Sequence, residues 1–187
     1  METLWTATAV VAIAEIGDKT QLLAIVLAAR FRRPWPIVAG IFAATLLNHA
    51  AAATAGYFVA QWLTGPTFQI VVALGFLAMA AWALVPDAAD DGPSDAARGG
   101  VFLTTLVAFF LVEIGDKTQI ATTLLAARFH DVALVTAGTT LGMMLANVPA
   151  VVFGEAATRV VPLAVVRRLA AALFAVLGLW MLVSALW

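Results

Sequence analysis

The seven residues Glu15-Ile16-Gly17-Asp18-Lys19-Thr20-Gln21 recur as Glu113-Ile114-Gly115-Asp116-Lys117-Thr118-Gln119, 98 positions later (15 to 113). Each copy holds two carboxylates, an ammonium, a hydroxyl and an amide, and each is flanked by runs of Ala, Val, Leu, Ile and Phe. Ionisable side chains in such surroundings are costly unless they pair or bind something. An oxygen-rich donor set suits hard divalent ions such as Ca²⁺, Mg²⁺ or Mn²⁺. The candidate metal ligands are therefore Glu15, Asp18, Gln21, Glu113, Asp116 and Gln119. Gly17, Lys19, Thr20, Gly115, Lys117 and Thr118 stand beside them in support.

On a continuous helix Glu15 and Asp18 are i, i+3 neighbours on one face, as are Glu113 and Asp116. Opposed across a pseudo-two-fold axis, the four carboxylates can converge on one point. Gly17 and Gly115 permit the backbone to open and free a carbonyl. Lys19 and Lys117 lie four residues after the Glu of their motif, a favourable helical pairing, and can offset carboxylate charge when no ion is bound. Crowded like charges in a low dielectric favour exchange of protons for a cation. The plainer alternative is that each Lys neutralises its own Glu and fastens helices; two identical heptapeptides at matching positions argue against it.

The elements that must position these groups follow from composition. Of 187 residues 64% are hydrophobic and 11% charged, with mean hydropathy +1.02, whereas a soluble domain is about a quarter charged. The expected class is an all-α polytopic membrane protein. A net charge of −1 gives no basic face for nucleic acid. The absence of cysteine removes disulfides, thiolate metal sites and Cys nucleophiles. Only His49 and His130 are available for zinc or copper. With no HExxH, no plausible Ser/His/Asp set and no cofactor motif, neither an enzyme nor a permanent cofactor is expected. No basic segment precedes the first apolar run, and cleavage after it would discard Glu15 and Asp18, so no cleaved signal peptide is expected.

Six apolar spans are predicted, at about 4–29, 37–62, 68–85, 101–127, 132–158 and 163 to the C-terminus, each near the roughly 20 residues that cross a bilayer. Residues 86–100 form an acidic linker with Asp87, Asp90, Asp91 and Asp95, dividing a first three-helix repeat at 1–85 from a second at 101–187. The 98-residue offset also maps Gly40 on Gly138, His49 on Asn147 and Gly56 on Gly154. An odd number of spans per half makes the six transmembrane helices two inverted three-helix repeats, the architecture of secondary transporters with sites near the midplane. The 1–2, 3–4 and 5–6 connections carry Arg30, Arg32, Arg33, Arg98, Arg159, Arg167 and Arg168, against Arg128 alone on the other side. That bias places both termini outside the cytoplasm. Trp5, Trp35, Trp62, Trp82 and Trp187 fall near helix ends, as an aromatic belt does.

Other polar and small residues are read more plainly. Asn48, His49 and Asn147 can form a second layer or proton relay beside the acids, although interhelical hydrogen bonding is the simpler reading. Gly40, Ala44, Gly138 and Gly142 mark close helix packing. Pro149 is expected to kink the fifth span, Met143 and Met144 to fill gaps, and Glu155 and Arg159 to pair at an interface. The bilayer is the expected partner, and a homo-oligomer is compatible with the sequence.

With both copies of Glu-x-Gly-Asp-(Lys/Arg)-(Thr/Ser) intact, the chain resembles uncharacterised protein family 0016, the Gdt-type cation/proton exchangers. That family includes Golgi transmembrane protein 165 and bacterial manganese exporters. The resemblance covers essentially the whole chain. It implies export of Mn²⁺, or Ca²⁺, from the cytoplasm in exchange for H⁺, with the acids of both motifs binding the ion. No long N-terminal extension is present, so the expected location is a prokaryotic plasma (inner) membrane. The competing expectation is an exporter of a small cationic organic solute, such as a basic amino acid, whose ammonium the acids would bind.

Overall fold

The computed structural model describes residues 1–62, 65–85, 100–154 and 163–186. They form eight helices: α1 (Glu2–Glu15), α2 (Lys19–Phe31), α3 (Pro34–Trp62), α4 (Pro66–Ala83), α5 (Gly100–Glu113), α6 (Lys117–Phe129), α7 (Val132–Phe153) and α8 (Leu163–Leu186). The acidic linker, the Glu155–Arg159 pair and Trp187 lie outside the described residues. α3, α4, α7 and α8 are each long and apolar enough to cross a membrane.

The expected first and fourth spans are not continuous helices. Each breaks at its motif, so the i, i+3 relation of Glu15 to Asp18 and of Glu113 to Asp116 is lost. The cause is local. Ile16 is extended (φ −62°, ψ 116°), Gly17 has φ +83°, and the Asp18 N–H bonds to the Glu15 carbonyl at 3.0 Å. These are the marks of a type II turn, which requires positive φ at its third residue and therefore favours Gly. Gly115 repeats it, with φ +78° and an Asp116 N–H bond to the Glu113 carbonyl at 3.1 Å. Asp18 and Asp116 then serve as N-caps of α2 and α6. The motif specifies the end of one helix, a turn and the start of the next.

Packing is reciprocal between the halves. α1 lies against α7, and its counterpart α5 lies against α3; α3 and α7 also meet, as do α4 and α8. The small residues expected at close approaches are there. A Cβ on Gly40 would meet Phe102 and Thr105, and one on Gly138 would meet Leu4 and Ala7. The same 98-residue offset relates both contacts. Gly56 admits the Thr123 carbonyl of α6 to 2.1 Å from where a Cβ would stand. Pro149 lies inside α7, which continues to Phe153.

The surface is widely apolar, and a polar cluster is buried within an otherwise hydrophobic core. Leu22, Phe42, Leu47, Leu111, Leu145 and Val176 face outward, while Glu15, Gln21, Asn48, His49, Glu113 and Asn147 are buried. Large exposed apolar surface around an interior that also holds charged groups is what a bilayer-embedded chain presents. Trp5, Trp35, Trp62 and Trp82 are exposed at or near helix ends, as anticipated.

Candidate metal centre

The two breaks meet inside the bundle. One oxygen from each of Glu15, Glu113 and Asp116 lies within 4.8 Å of the others. Opposed ligands around a hard divalent ion stand about 4–5 Å apart, so the spacing fits. Glu15 and Glu113 are both completely buried. Three carboxylates crowded in such surroundings require protons or cations to balance them.

The convergence is not four-fold. Asp18 is buried but stands outside the triad, lining a cavity of about 20 Å³ with Gly17 and Lys117. That is room for one water-sized body. Lys19, expected to pair with its own Glu15, reaches Asp116 of the other motif, Nζ to Oδ1 3.4 Å. Lys117, 5% exposed, donates to the Val85 carbonyl at 3.2 Å and stands 5.9 Å from the Trp82 ring centre. Neither Val85 nor Trp82 carries a signal in the sequence, because a backbone acceptor and an aromatic at a helix end look alike wherever they occur.

The amides serve the turns. Gln21 Oε1 accepts the Gly17 N–H at 2.9 Å, and its Nε2 donates to the Ala146 carbonyl at 3.0 Å. Gln119 Oε1 accepts the Gly115 N–H at 2.7 Å. Both lie at the third helical position after the N-cap, where a Gln reaches back to donors left open at a helix start. Thr118 donates to Glu113 Oε2 at 3.3 Å and lies 3.4 Å from Asp116 Oδ2. Its counterpart Thr20 is buried with no hydrogen-bond partner for its hydroxyl among the described residues.

A second layer comes from α3 and α7. Asn147 Nδ2 donates to Glu15 Oε1 at 3.1 Å, and to the Met143 carbonyl and sulfur at 3.2 and 3.1 Å. Met143 therefore helps fix Asn147 as well as filling space. His49, the counterpart of Asn147, places Nε2 3.8 Å from Glu113 Oε2. Asn48 makes the interhelical bond that the simpler reading expected, to the Phe110 carbonyl at 3.0 Å. Glu15 Oε2, Glu113 Oε1 and Asn147 Oδ1 are buried without a hydrogen-bond partner among the described residues. Buried oxygens left open in this way need a partner, and either a proton or a cation can serve as one.

An apolar, multi-pass helical shell around a buried acidic centre belongs to the membrane transporters of cations. The chain belongs to the divalent cation/proton antiporter GDT1 family, whose model matches residues 3–91 and 101–187. It is similar to a protein of Vibrio cholerae serotype O1 provisionally named a manganese exporter, 50% identical over 170 residues that cover 90% of this chain and 84% of the relative. No solved structure matches it.

Proposed function

We propose that this protein exports Mn²⁺ from the cytoplasm in exchange for protons, and that Glu15, Glu113 and Asp116 together bind the ion. The observation carrying the proposal is the meeting of three carboxylate oxygens within 4.8 Å, drawn from motifs 98 residues apart. Asn147 bonds to Glu15 and His49 stands 3.8 Å from Glu113, Gln21 and Gln119 hold the turns, and Asp18 lines the adjoining small cavity. The family description supports the cation and the proton; the relative's name supports manganese over calcium. Ca²⁺ remains a second cargo, since the donors are all oxygen.

Charge balance gives the exchange its form. The motifs bring four carboxylates and two ammonium groups, Lys19 and Lys117, for a formal charge of −2. One divalent ion or two protons neutralise it, so the centre has two electrically equivalent loaded states. Six spans in two inverted repeats follow if each broken pair, α1–α2 and α5–α6, crosses as one unit, since α1 and α2 are 14 and 13 residues long against the roughly 20 a crossing needs. The reciprocal packing supports that arrangement. Arginine bias then puts both termini outside the cytoplasm, in a plasma membrane. An exporter of basic amino acids is disfavoured, because the family description is of a divalent cation/proton antiporter.

Proteoliposomes containing a pH-sensitive dye test this. Adding Mn²⁺ should move protons in wild type and not in Glu15→Gln, while lysine should move none. A signal from lysine but not from Mn²⁺ would reverse the assignment.

A further inference from the structure

A second polar site lies apart from the acidic centre, and none of its lining residues belongs to either motif. Where the ends of α3, α6 and α8 meet the start of α4, a cavity of about 320 Å³ opens, walled by Phe68 and Met181 and edged by Arg128, His130, Gln69 and Ser184. The Arg128 guanidinium lies 5.1 Å from the Trp180 ring centre and 5.6 Å from that of Phe129. Aromatic faces hold a guanidinium by cation–π attraction and leave its in-plane N–H groups free to bond. No carboxylate of the described residues pairs with Arg128. His130 is fixed by an edge contact to Phe68, ring centres 6.3 Å apart. α4 begins at the same cavity, and its N-cap Gly65 offers no side-chain cap, so the positive end of its dipole adds to the field.

A planar, charged fork beside an imidazole and neutral donors is suited to a phosphate oxyanion. We propose that this cavity binds the phosphate of an anionic phospholipid. The lipid source follows from the surroundings. Val176, Leu179 and Val183 lie exposed along α8 beside half-exposed Trp180, giving acyl chains an apolar track that ends at the charged group. The volume also falls within the range of small-molecule sites, about 300–1,000 Å³. This inference is independent of the transport reading.

The test uses full-length protein stripped of lipid in a neutral detergent. Phosphatidylglycerol should raise its thermal midpoint saturably, and brominated phosphatidylglycerol should quench a tryptophan component that is missing in Trp180→Phe. Arg128→Gln should weaken both effects about tenfold or more, as loss of a charged hydrogen bond does, and Arg128→Lys should keep part of them. If Arg128→Gln does not fold, the quenching difference between wild type and Trp180→Phe decides. An equal shift from phosphatidylcholine, the same shift from inorganic phosphate at matched concentration, no Trp180 quenching, or wild-type behaviour of folded Arg128→Gln would each overturn the proposal.

Discussion

Lys19 bonds across the bundle to Asp116, 3.4 Å away, so the first motif's ammonium meets the second motif's carboxylate. The duplicated heptapeptides are thereby tied to each other, and the ion pair joins the halves at the place where the three carboxylates converge. Asp116 carries both roles, as partner of Lys19 and as member of the triad.

A double-mutant cycle on this pair should show coupling. Lys19→Gln leaves a buried carboxylate without its counter-charge, whereas Lys19→Gln with Asp116→Asn removes both charges. The expected coupling is about 1–2 kcal/mol, within the range for contacting residues, read from thermal unfolding in detergent. Additive losses would show the two side chains to be energetically independent.

Two glycines should fail for different reasons. Gly115 has φ +78° with open space around a Cβ, so Gly115→Ala should cost about 1–2 kcal/mol through backbone strain alone. Gly56→Ala drives a methyl into the Thr123 carbonyl and must separate α3 from α6. It should lose more than Gly115→Ala and abolish a monodisperse elution peak. Equal losses in the two variants, measured by thermal melts and gel filtration, would contradict this.

Much of this was legible beforehand. The duplication, the acidic residues and the small residues at four-residue spacing all appear as repeated residue types, and the glycines do stand at close helix approaches, whereas of the four acids expected to converge only three do. The breaks were harder to see, because Glu15 to Asp18 sits in an apolar run long enough to read as one helix. Only the pairing of Gly17's positive φ with an N-capping Asp18 reveals the turn, and a single Gly-Asp step is a weak signal within such a run. The asymmetry of the acids was not legible, although that of His49 and Asn147 was. Asp18 and Asp116 stand in identical heptapeptides, yet only Asp116 joins the triad, because the helices packed around them differ. Lys117, similarly, has Trp82 and Val85 beside it through tertiary contacts that no local pattern announces.

Asn147 and His49 should matter to the ion beyond what they add to the packing. Groups that orient metal ligands typically change affinity by about 10–100-fold when removed. Asn147→Ala and His49→Ala should weaken Mn²⁺ binding within that range in protein that still folds, together with the loss of stability that truncating a buried side chain brings. Unchanged affinity in both would reduce the second layer to simple interhelical bonding.

Exchange should be electroneutral. With a formal charge of −2 balanced by one divalent ion or two protons, Mn²⁺ flux into proteoliposomes should be insensitive to a potassium diffusion potential. A flux that scales with the imposed potential would rule out two protons per ion.

The most direct measurement is Mn²⁺ binding to the purified protein, followed by electron paramagnetic resonance of free and bound ion. The triad predicts one Mn²⁺ per chain, lost alike in Glu15→Gln, Glu113→Gln and Asp116→Asn, although the first lies 98 residues from its partner (15 to 113). Wild-type binding in folded Glu15→Gln, or two independent ions per chain with one lost for each altered motif, would contradict a single shared centre.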